Sequence, residues 1–269
     1  MPLIPEEVGK SYDELNGLFK LAFGQHIHNG YWSSVDDDTP FDVALERMNS
    51  LVIEKLGAGR NWSVLDVGCG MGELARRLAD TAGCEAVGIS NSQVQVDEAT
   101  ALALNNGGRA RFEFADAHAL PFPDANFDGA LAIESLSQVG DAPQVLQEIA
   151  RVLRPGGRLV VADFAEHVPL SLKQKEYLAA EHFDFMRYSE VESVFGRAGF
   201  HALECMDLSW TTVMSQEAML QSVRSRRSEL LAQYSADFVD AFEANWLKLC
   251  DIFEHHLAYF LLIAEKARL

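Results

Sequence analysis

Short apolar runs alternate with segments of helical period along the chain from residue 63 onward. The apolar runs are short enough for buried strands, and most are followed by apolar residues that recur every three or four positions, as in an amphipathic helix. Strands that alternate with helices build a parallel sheet through right-handed crossovers. The pattern predicts an α/β fold with a mostly parallel sheet, helices on both faces, and strands at Ser63–Val67, Glu85–Ile89, Arg111–Ala115, Phe127–Ile133 and Arg158–Asp163.

The segments on either side of this core have a helical period. Residues 1–60 carry a helical apolar stripe, a polar loop and a second helical stretch, and they predict an N-terminal helical lid. After the core, residues 164–187 predict an amphipathic helical segment, and Ser189–Ala198 predicts a helix that stops at Gly199. Residues 214–256 are also predicted to be helical.

These elements suggest a division of the chain. Residues 61–163 form the core, and residues 164–187 together with 211–256 are helical cap insertions. The sheet is predicted to be completed by residues 188–210 and 257–269, with strands at His201–Trp210 and Leu257–Ala264.

Charge and composition narrow the possible partners. The chain has 22 Lys and Arg against 40 Asp and Glu, a formal charge of −18. Such a surface repels nucleic acid and anionic lipid, so we expect neither as a partner. No signal peptide and no membrane-spanning segment is predicted, and the scattered cysteines have no zinc spacing, so we expect a cytoplasmic protein without a metal site.

A glycine-rich turn follows the first predicted strand. The stretch Val64–Glu73 reads VLDVGCGMGE, an apolar strand that runs into glycines and then into a helix. Glycines allow positive φ and close approach of a ligand, and a helix N-terminus attracts an anion. A dinucleotide site has the spacing G-x-G-x-x-G, whereas here the third glycine comes one residue earlier, which disfavours an NAD-dependent oxidoreductase.

Further short motifs follow in a fixed order. They are Asp116-Ala117, the stretch LPFP at 120–123, NFD at 126–128 and RVLRPGG at 151–157. In this order and spacing the chain resembles the class I S-adenosylmethionine-dependent methyltransferases, in particular the subgroup that acts on small molecules, including tocopherol, sterol, phosphoethanolamine and sugar-O-methylating enzymes. The resemblance covers roughly residues 12–200 and is tight over 63–163. It implies a Rossmann-like core, S-adenosylmethionine as cofactor and a small-molecule acceptor.

The resemblance also implies a set of cofactor-binding residues. The methionine end is expected at the glycine-rich turn, the ribose at a Ser and a Gln, the adenine at an Asp-Ala pair, and the transferred methyl at the end of the fourth strand. In this sequence the expected residues are Asp66, Gly68, Cys69, Gly70, Ser90, Gln95, Asp116, Ala117, Ile133 and Glu134.

The base for methyl transfer is less clear from the sequence. Several relatives carry histidines after the fourth strand, where this chain has Ser137 and Gln138, and neither titrates near neutral pH. The remaining candidates are His28, in a lid segment HNGYW, and Asp163, at the end of the fifth strand, while Tyr12 matches a tyrosine that closes over the cofactor in relatives. Five further histidines are expected to be structural or solvated: His118, His182, His201, His255 and His256.

Three functions remain open at this level. The favoured hypothesis is methylation of a hydroxyl of a natural product, with N- or C-methylation as the alternative. The missing histidines also allow a protein that binds S-adenosylmethionine without using its methyl, such as a cyclase. The acceptor pocket is expected from the lid and from apolar side chains of the cap: Phe183, Phe185, Met186, Tyr188, Met206, Trp210 and Met214.

Overall fold

A computed structural model of the protein describes residues 3–104 and 109–268. Two helices precede the first strand, α1 (Pro5–Phe23) and α2 (Phe41–Leu56). The core follows as β1 (Ser63–Val67), α3 (Glu73–Ala82), β2 (Glu85–Ser90), α4 (Gln93–Leu104), β3 (Ala110–Phe114), β4 (Phe127–Ile133), α5 (Ala142–Val152) and β5 (Leu153–Glu166). The remaining elements are α6 (Leu172–Ala180), α7 (Val191–Arg197), β6 (Phe200–Asp207), α8 (Trp210–Ser225), α9 (Arg227–Leu231), α10 (Ala236–His256) and β7 (Leu257–Lys266).

The strands form one seven-stranded sheet in the order β3-β2-β1-β4-β5-β7-β6. β7 runs antiparallel to both of its neighbours, and the other pairs are parallel. The strand order reverses between β1 and β4, and an open α/β sheet binds its ligand at the carboxyl ends of the strands beside such a reversal. The predicted α/β fold with a mostly parallel sheet is confirmed.

The apolar core lies on both faces of the sheet. Along β5, Leu159 and Val161 belong to one apolar cluster, and Val160 and Ala162 belong to another, because successive strand residues point to opposite faces. Helices α5 and α7 cover the first face, and α2, α3, α6 and α10 contribute to the second. A third cluster joins α1 to α8, α9 and α10 above the sheet.

The sequence located the core strands well but misjudged the segments after them. The prediction of helix throughout residues 164–187 is wrong: β5 continues to Glu166, and α6 covers only Leu172–Ala180. The strand is long because β5 pairs with β7 from Arg158 to Glu166, so that both strands satisfy their backbone groups over that length. Ser171 caps the N-terminus of α6, and its side chain forms a capping box with Gln174.

The last predicted elements also need correction. The strand predicted over His201–Trp210 ends at Asp207, and Trp210 is the first residue of α8. The helical stretch predicted over residues 214–256 is divided into α8, α9 and α10, with a break in which the Ser235 side chain caps α10 through the Phe238 N–H. The helices α8, α9 and α10 pack on α1, and this packing fixes where each of them ends. The apolar periodicity of the sequence does not show these helix ends.

Candidate active site

The glycine-rich turn after β1 shapes the start of the site. Gly68 has φ +75°, and a Cβ on it would lie 2.5 Å from the Ser135 Cβ, so only glycine fits there. Gly70 has φ +51°, and a Cβ on it would meet nothing within 4 Å. The N–H groups of Gly68 and Cys69 both donate to the Ile89 carbonyl oxygen, at 3.0 and 2.9 Å, and tie the turn to β2. The turn therefore presents an open backbone surface at Gly70.

A first cavity opens at the carboxyl ends of β1, β2, β3 and β4. It encloses about 1120 Å³ of empty space, including its mouth toward solvent. We call it the cofactor cavity, because every residue predicted to bind the cofactor lines it: Asp66, Gly68, Cys69, Gly70, Ser90, Gln95, Asp116, Ala117, Ile133 and Glu134. The sheet thus brings together residues that are separated by up to three strands in the chain.

Asp66 lies buried at the base of this cavity. Its Oδ2 atom has no hydrogen-bond partner among the described residues, and burial raises the pKa of the carboxyl to about 7. A buried acceptor without a donor is costly unless a ligand supplies the donor. Asp66 is therefore suited to accept from a cationic donor such as an ammonium group.

His28 contributes a second unpaired acceptor to the same cavity. Its Nδ1 lies 2.9 Å from the Asn29 carbonyl oxygen, which can only accept, so Nδ1 carries the proton and Nε2 is the acceptor. Nε2 is buried and has no hydrogen-bond partner within the described part of the chain, and burial lowers the pKa of the ring to about 4. His28 is therefore neutral at neutral pH. It lines the cofactor cavity and is absent from the lining of the second cavity described below.

The ribose-binding pair predicted from the sequence forms a hydrogen bond. The Ser90 hydroxyl donates to Gln95 Oε1 at 2.9 Å and accepts from the Ser92 N–H at 3.1 Å. The Ser92 hydroxyl in turn donates to Asp13 of α1 at 2.5 Å. The lid helix α1 is thereby attached to the turn that follows β2.

Asp116 is half-exposed at the rim beyond β3. Its Oδ1 accepts from the His118 N–H at 2.9 Å and lies 2.7 Å from His118 Nδ1. His118 also lines the cavity, although the sequence suggested only a structural or solvated residue. An Asp side chain often accepts from the N–H two residues later, as Asp116 does from His118. This local pattern could have predicted that His118 lies beside Asp116 at the cavity.

A second cavity is lined by residues of α1, β5, α6, α8 and α10. We call it the acceptor cavity. Its wall is largely aromatic and apolar, and among the described residues that line it there is no lysine or arginine. Its aromatic and large apolar residues include Phe19, Phe164, Phe183, Met219, Phe242, Trp246, Leu249 and Phe253. Of the cap residues that the sequence suggested for the acceptor pocket, Phe183 lines it, whereas Phe185, Met186, Tyr188, Met206, Trp210 and Met214 do not.

The two cavities meet at four shared wall residues, Tyr12, Ile27, Glu134 and Gln138. The Tyr12 hydroxyl donates to Gln138 Oε1 at 2.6 Å, and burial raises the pKa of Tyr12 to about 12. These side chains therefore separate the two cavities and would contact a molecule bound in either one.

Glu134 stands at the boundary in an unusual conformation. Its φ is +49°, and its Oε1 accepts from the Asn29 backbone N–H at 2.6 Å. Burial raises the pKa of Glu134 to about 8, so the side chain is mostly protonated at neutral pH. The bond to Asn29 attaches the lid loop to the end of β4, a contact that no local sequence pattern indicated.

Asp163 lies outside both cavities, although the sequence suggested it as the base. The side chain is buried, and its oxygens accept from the Phe164 N–H at 2.7 Å and the Ser137 N–H at 3.1 Å. Burial raises the pKa of Asp163 to about 6. Asp163 therefore supports the short 3-10 turn Leu136–Gln138 and lines neither cavity.

Charged side chains gather at one wall of the cofactor cavity. His26, Glu46 and Glu73 place potential ligand atoms within 4.8 Å of one another. Both carboxylates are paired with arginines, Glu73 with Arg76 and Glu46 with Arg77. Because the arginines already neutralise both carboxylates, we interpret these side chains as ion pairs in the cavity wall and do not assign a metal site to them.

Fold and site together define a class of enzyme that binds a nucleotide-like cofactor at the switch point and a second, apolar molecule beside it. Residues 64–157 match the family described as a methyltransferase domain. The chain is 39% identical over 211 residues to the O-methyltransferase resE of Aspergillus sclerotiorum, covering 75% of this chain and 78% of that one. It is 32% identical over 267 residues to the methyltransferase GfsG of Streptomyces halstedii, covering 97% and 94%. The chain belongs to the S-adenosylmethionine-dependent methyltransferase family.

A solved structure gives a further likeness. The [4+2]-cyclase SpnF superimposes with a TM-score of 0.85 at 29% identity, covering 99% of this chain and 98% of that one. The cofactor of the family fits the cavity described here, because its ammonium matches the unpaired acceptor of Asp66 and its bulk matches the open surface at Gly70. The family and the site therefore identify an enzyme that uses S-adenosylmethionine.

None of the helices in the described part of the chain combines the length and the apolar character needed to cross a membrane.

Proposed function

We propose that this enzyme transfers a methyl group from S-adenosylmethionine to a hydroxyl of a small, largely apolar natural product. The observation that carries the proposal is the meeting of the cofactor cavity and the aromatic acceptor cavity at Tyr12, Ile27, Glu134 and Gln138. The names of the relatives support it, since resE and the 27-O-demethylrifamycin SV methyltransferase of Amycolatopsis mediterranei are both O-methylating enzymes by name.

The cofactor cavity suggests how each end of S-adenosylmethionine is held. We assign the methionine ammonium to Asp66 and His28, whose free acceptors are Oδ2 and Nε2. We assign the ribose to Ser90 and Gln95, and the adenine to Asp116 and Ala117. When bound, the cofactor supplies an activated methyl group on a sulfonium, so the enzyme's main task is to hold the acceptor behind that methyl.

The acceptor cavity favours an uncharged or weakly polar molecule. Aromatic side chains dominate its wall, and its described lining includes the acidic Glu134 and Glu181 without any lysine or arginine. An acceptor with a phosphate or carboxylate would have to enter without a counter-charge, which is unfavourable. We therefore propose an acceptor with rings or a long apolar body and a free hydroxyl.

We propose that the helices around these cavities act as the lid and cap. Helix α1 and the loop that follows it supply Tyr12 and Ile27 to both cavities, and α8 and α10 supply Met219, Phe242 and Trp246 to the acceptor cavity. Since the cap residues of α8 and α10 line only the acceptor cavity, they would set the choice of acceptor and leave cofactor binding to the core.

The chain's own polar residues suggest how the acceptor is oriented. Tyr12 holds Gln138 through the 2.6 Å bond, so that its amide is fixed at the boundary of the cavities. Asp163 holds the Ser137 N–H and keeps the same turn in place. Tyr12 and Asp163 are thus proposed as positioning residues, and His28 as a cofactor-binding residue, in place of the catalytic roles that the sequence suggested.

We also propose that the enzyme works in the cytoplasm. All four cysteines are free thiols, as is typical of proteins in reducing compartments.

The experiment that tests the function uses methyl-labelled S-adenosylmethionine and a metabolite extract of the producing cells. The expected product carries the label on oxygen, located by NMR and mass spectrometry, together with one equivalent of S-adenosylhomocysteine. A labelled methyl on nitrogen or carbon would contradict the proposal.

A second candidate function follows from the likeness to the cyclase SpnF and from Ser137 and Gln138, which replace the histidines of several relatives. Such a protein would bind the cofactor and rearrange its substrate without consuming the methyl. Product formation without S-adenosylhomocysteine in the same experiment would favour this candidate.

A further inference from the structure

His182 is the histidine of the acceptor cavity. Among the described residues that line this cavity it is the only one with an imidazole, and its chain neighbours Glu181 and Phe183 line the cavity as well. The side chain is partly exposed, so the ring has access both to the cavity and to solvent. The sequence pattern gave no hint of this position, because it placed His182 inside a continuous helix.

The backbone at His182 adds an independent observation. Its φ is +64°, and the Phe183 N–H beyond it donates to the Leu178 carbonyl oxygen at 2.8 Å, which closes the end of α6. A left-handed residue at such a helix end is usually glycine, because a side chain with a Cβ is strained in that conformation. This chain therefore keeps an imidazole where the backbone favours glycine.

Left-handed residues are concentrated at the same cavity. In the described part of the chain, the non-glycine residues with positive φ are Ala125, Glu134 and His182. Glu134 and His182 both line the acceptor cavity. Strained residues persist where the surrounding structure holds them, and they gather at functional sites.

The loop that carries His182 is anchored on both sides. The Asp184 N–H donates to the Ser137 carbonyl oxygen at 2.8 Å, which attaches the loop to the turn beside the cavity boundary. On the other side, Asn245 of α10 donates to the Glu181 carboxylate at 2.6 Å. His182 therefore lies in a fixed loop, two residues from a direct contact with the turn that carries Gln138.

We propose that His182 is the general base that accepts the proton of the acceptor hydroxyl, an inference that rests on the proposed O-methyl transfer. The O–H bond breaks and its proton moves to an unprotonated ring nitrogen of His182. The oxygen's electron pair forms the new bond to the methyl carbon, and the pair of the breaking carbon–sulfur bond stays on sulfur, which yields neutral S-adenosylhomocysteine. The imidazolium then releases the proton to solvent.

The other polar groups of the cavity are less suited to this step. The Tyr12 hydroxyl is a donor to Gln138, and Glu181 already accepts from Asn245. Glu134 accepts from the Asn29 N–H and holds the lid loop. Imidazole is the side chain most often used for such a proton transfer.

The test uses two variants that tolerate the left-handed backbone, His182→Gly and His182→Asn, so that a loss of activity does not reflect a loss of fold. The acceptor is the compound isolated by the labelling experiment. We expect melting temperatures at or above that of the wild type, an unchanged affinity for S-adenosylhomocysteine by calorimetry, and a chemical step slower by about 10²–10⁴-fold. With S-adenosylmethionine at saturation, so that the ionisation of Asp66 does not limit cofactor binding, the wild-type fall in rate at low pH should be reduced in both variants. Added imidazole should restore part of the activity of His182→Gly. The exposed His201→Asn is the matched control and should behave as wild type.

Three other outcomes would contradict either the role of His182 or the proposed function. Near-normal O-methylation by both variants would overturn the role of His182 and leave the proposed function intact. A slow variant that keeps the wild-type pH profile and shows no rescue would also overturn it, in favour of a purely structural role. If the wild type places the methyl on nitrogen or carbon, the proposed O-methyl transfer is wrong, and the role of His182 as base, which depends on it, is wrong as well.

Discussion

The Tyr12 hydroxyl donates a 2.6 Å hydrogen bond to Gln138 Oε1 across the boundary between the two cavities. The bond connects the first helix to the turn after β4, residues that are 126 positions apart in the chain. Both side chains line both cavities, so the contact lies at the boundary where the proposed cofactor and acceptor sites adjoin. The N-terminal helix thereby forms part of the wall of both cavities.

Loss of this bond should impair closure over the cofactor. Tyr12→Phe leaves the half-buried Gln138 oxygen without its donor, which costs about 1–2 kcal/mol. We therefore expect the affinity for S-adenosylhomocysteine to fall by roughly 5- to 30-fold in calorimetry. A double-mutant cycle with Gln138→Leu should show coupling, because the second substitution removes the group that the first leaves unpaired. Additive effects would contradict the assignment of this bond as a closing contact.

Gly70 should be essential for cofactor binding and unimportant for folding. Gly70→Asn keeps a residue that tolerates positive φ but places a side chain in the open space beside the turn. We expect a folded protein that no longer gains thermal stability from S-adenosylhomocysteine. The matched substitution Gly68→Asn should instead lower stability with or without ligand, because its Cβ would collide with Ser135. Equal ligand stabilisation in wild type and Gly70→Asn would rule out the proposed cofactor contact.

Asp66 should make stability and cofactor affinity depend on pH in opposite directions. Burial raises the folded-state pKa of Asp66 to about 7, above its ordinary value in an unfolded chain. The unfolded state therefore gives up this proton first, and the stability of the ligand-free protein should fall as the pH rises from about 4 through 7. Ionised Asp66 is the form that binds an ammonium, so the affinity for S-adenosylhomocysteine should rise over the upper part of that range.

The variant Asp66→Asn checks both effects. It should flatten part of the dependence of melting temperature on pH, and it should bind S-adenosylhomocysteine weakly at every pH. The residual slope combines Glu134 and Asp163, whose pKa values burial raises to about 8 and 6, with an opposite contribution from His28, whose pKa burial lowers to about 4. An unchanged pH dependence of both stability and affinity would remove Asp66 from the ammonium site.

Asp163 should act through structure. Asp163→Asn can no longer accept from both the Ser137 and the Phe164 N–H groups, and we expect a loss of about 1–3 kcal/mol in the free energy of unfolding. Turnover should fall moderately while the shape of the pH–rate profile stays as in the wild type. Loss of the low-pH limb in this variant, with stability unchanged, would return Asp163 to the role of base.

Phe242 should contribute to acceptor recognition. It lines the acceptor cavity and not the cofactor cavity, so Phe242→Ala should raise KM for the acceptor by about 10-fold or more through lost apolar contact, with cofactor affinity unchanged. Phe238→Ala is the matched control, because Phe238 lies on the same helix, is 40% exposed and is absent from the cavity wall. Equal effects of the two substitutions would place the acceptor elsewhere.

The sequence by itself determined the core of this enzyme. Strand and helix periods located β1 to β5, and the ordered motifs from Asp66 to Glu134 identified a cofactor site whose residues all line one cavity. These features are local in the sequence. A strand period, a glycine turn and a polar residue at a strand end predict the same structure in any chain with this order of elements. The open α/β sheet then brings the strand ends together at one edge.

The tertiary structure decided which residues meet across the two cavities. In the structure, His28 lines the cofactor cavity, and Asp163 supports the turn Leu136–Gln138. His182 lines the acceptor cavity because α6 ends at Ala180, earlier than the sequence predicted. These positions depend on how α1, α6, α8 and α10 pack on the sheet and on one another. Long-range packing of this kind sums many weak contacts between distant segments, and a linear pattern of apolar and polar residues records only which face each helix buries.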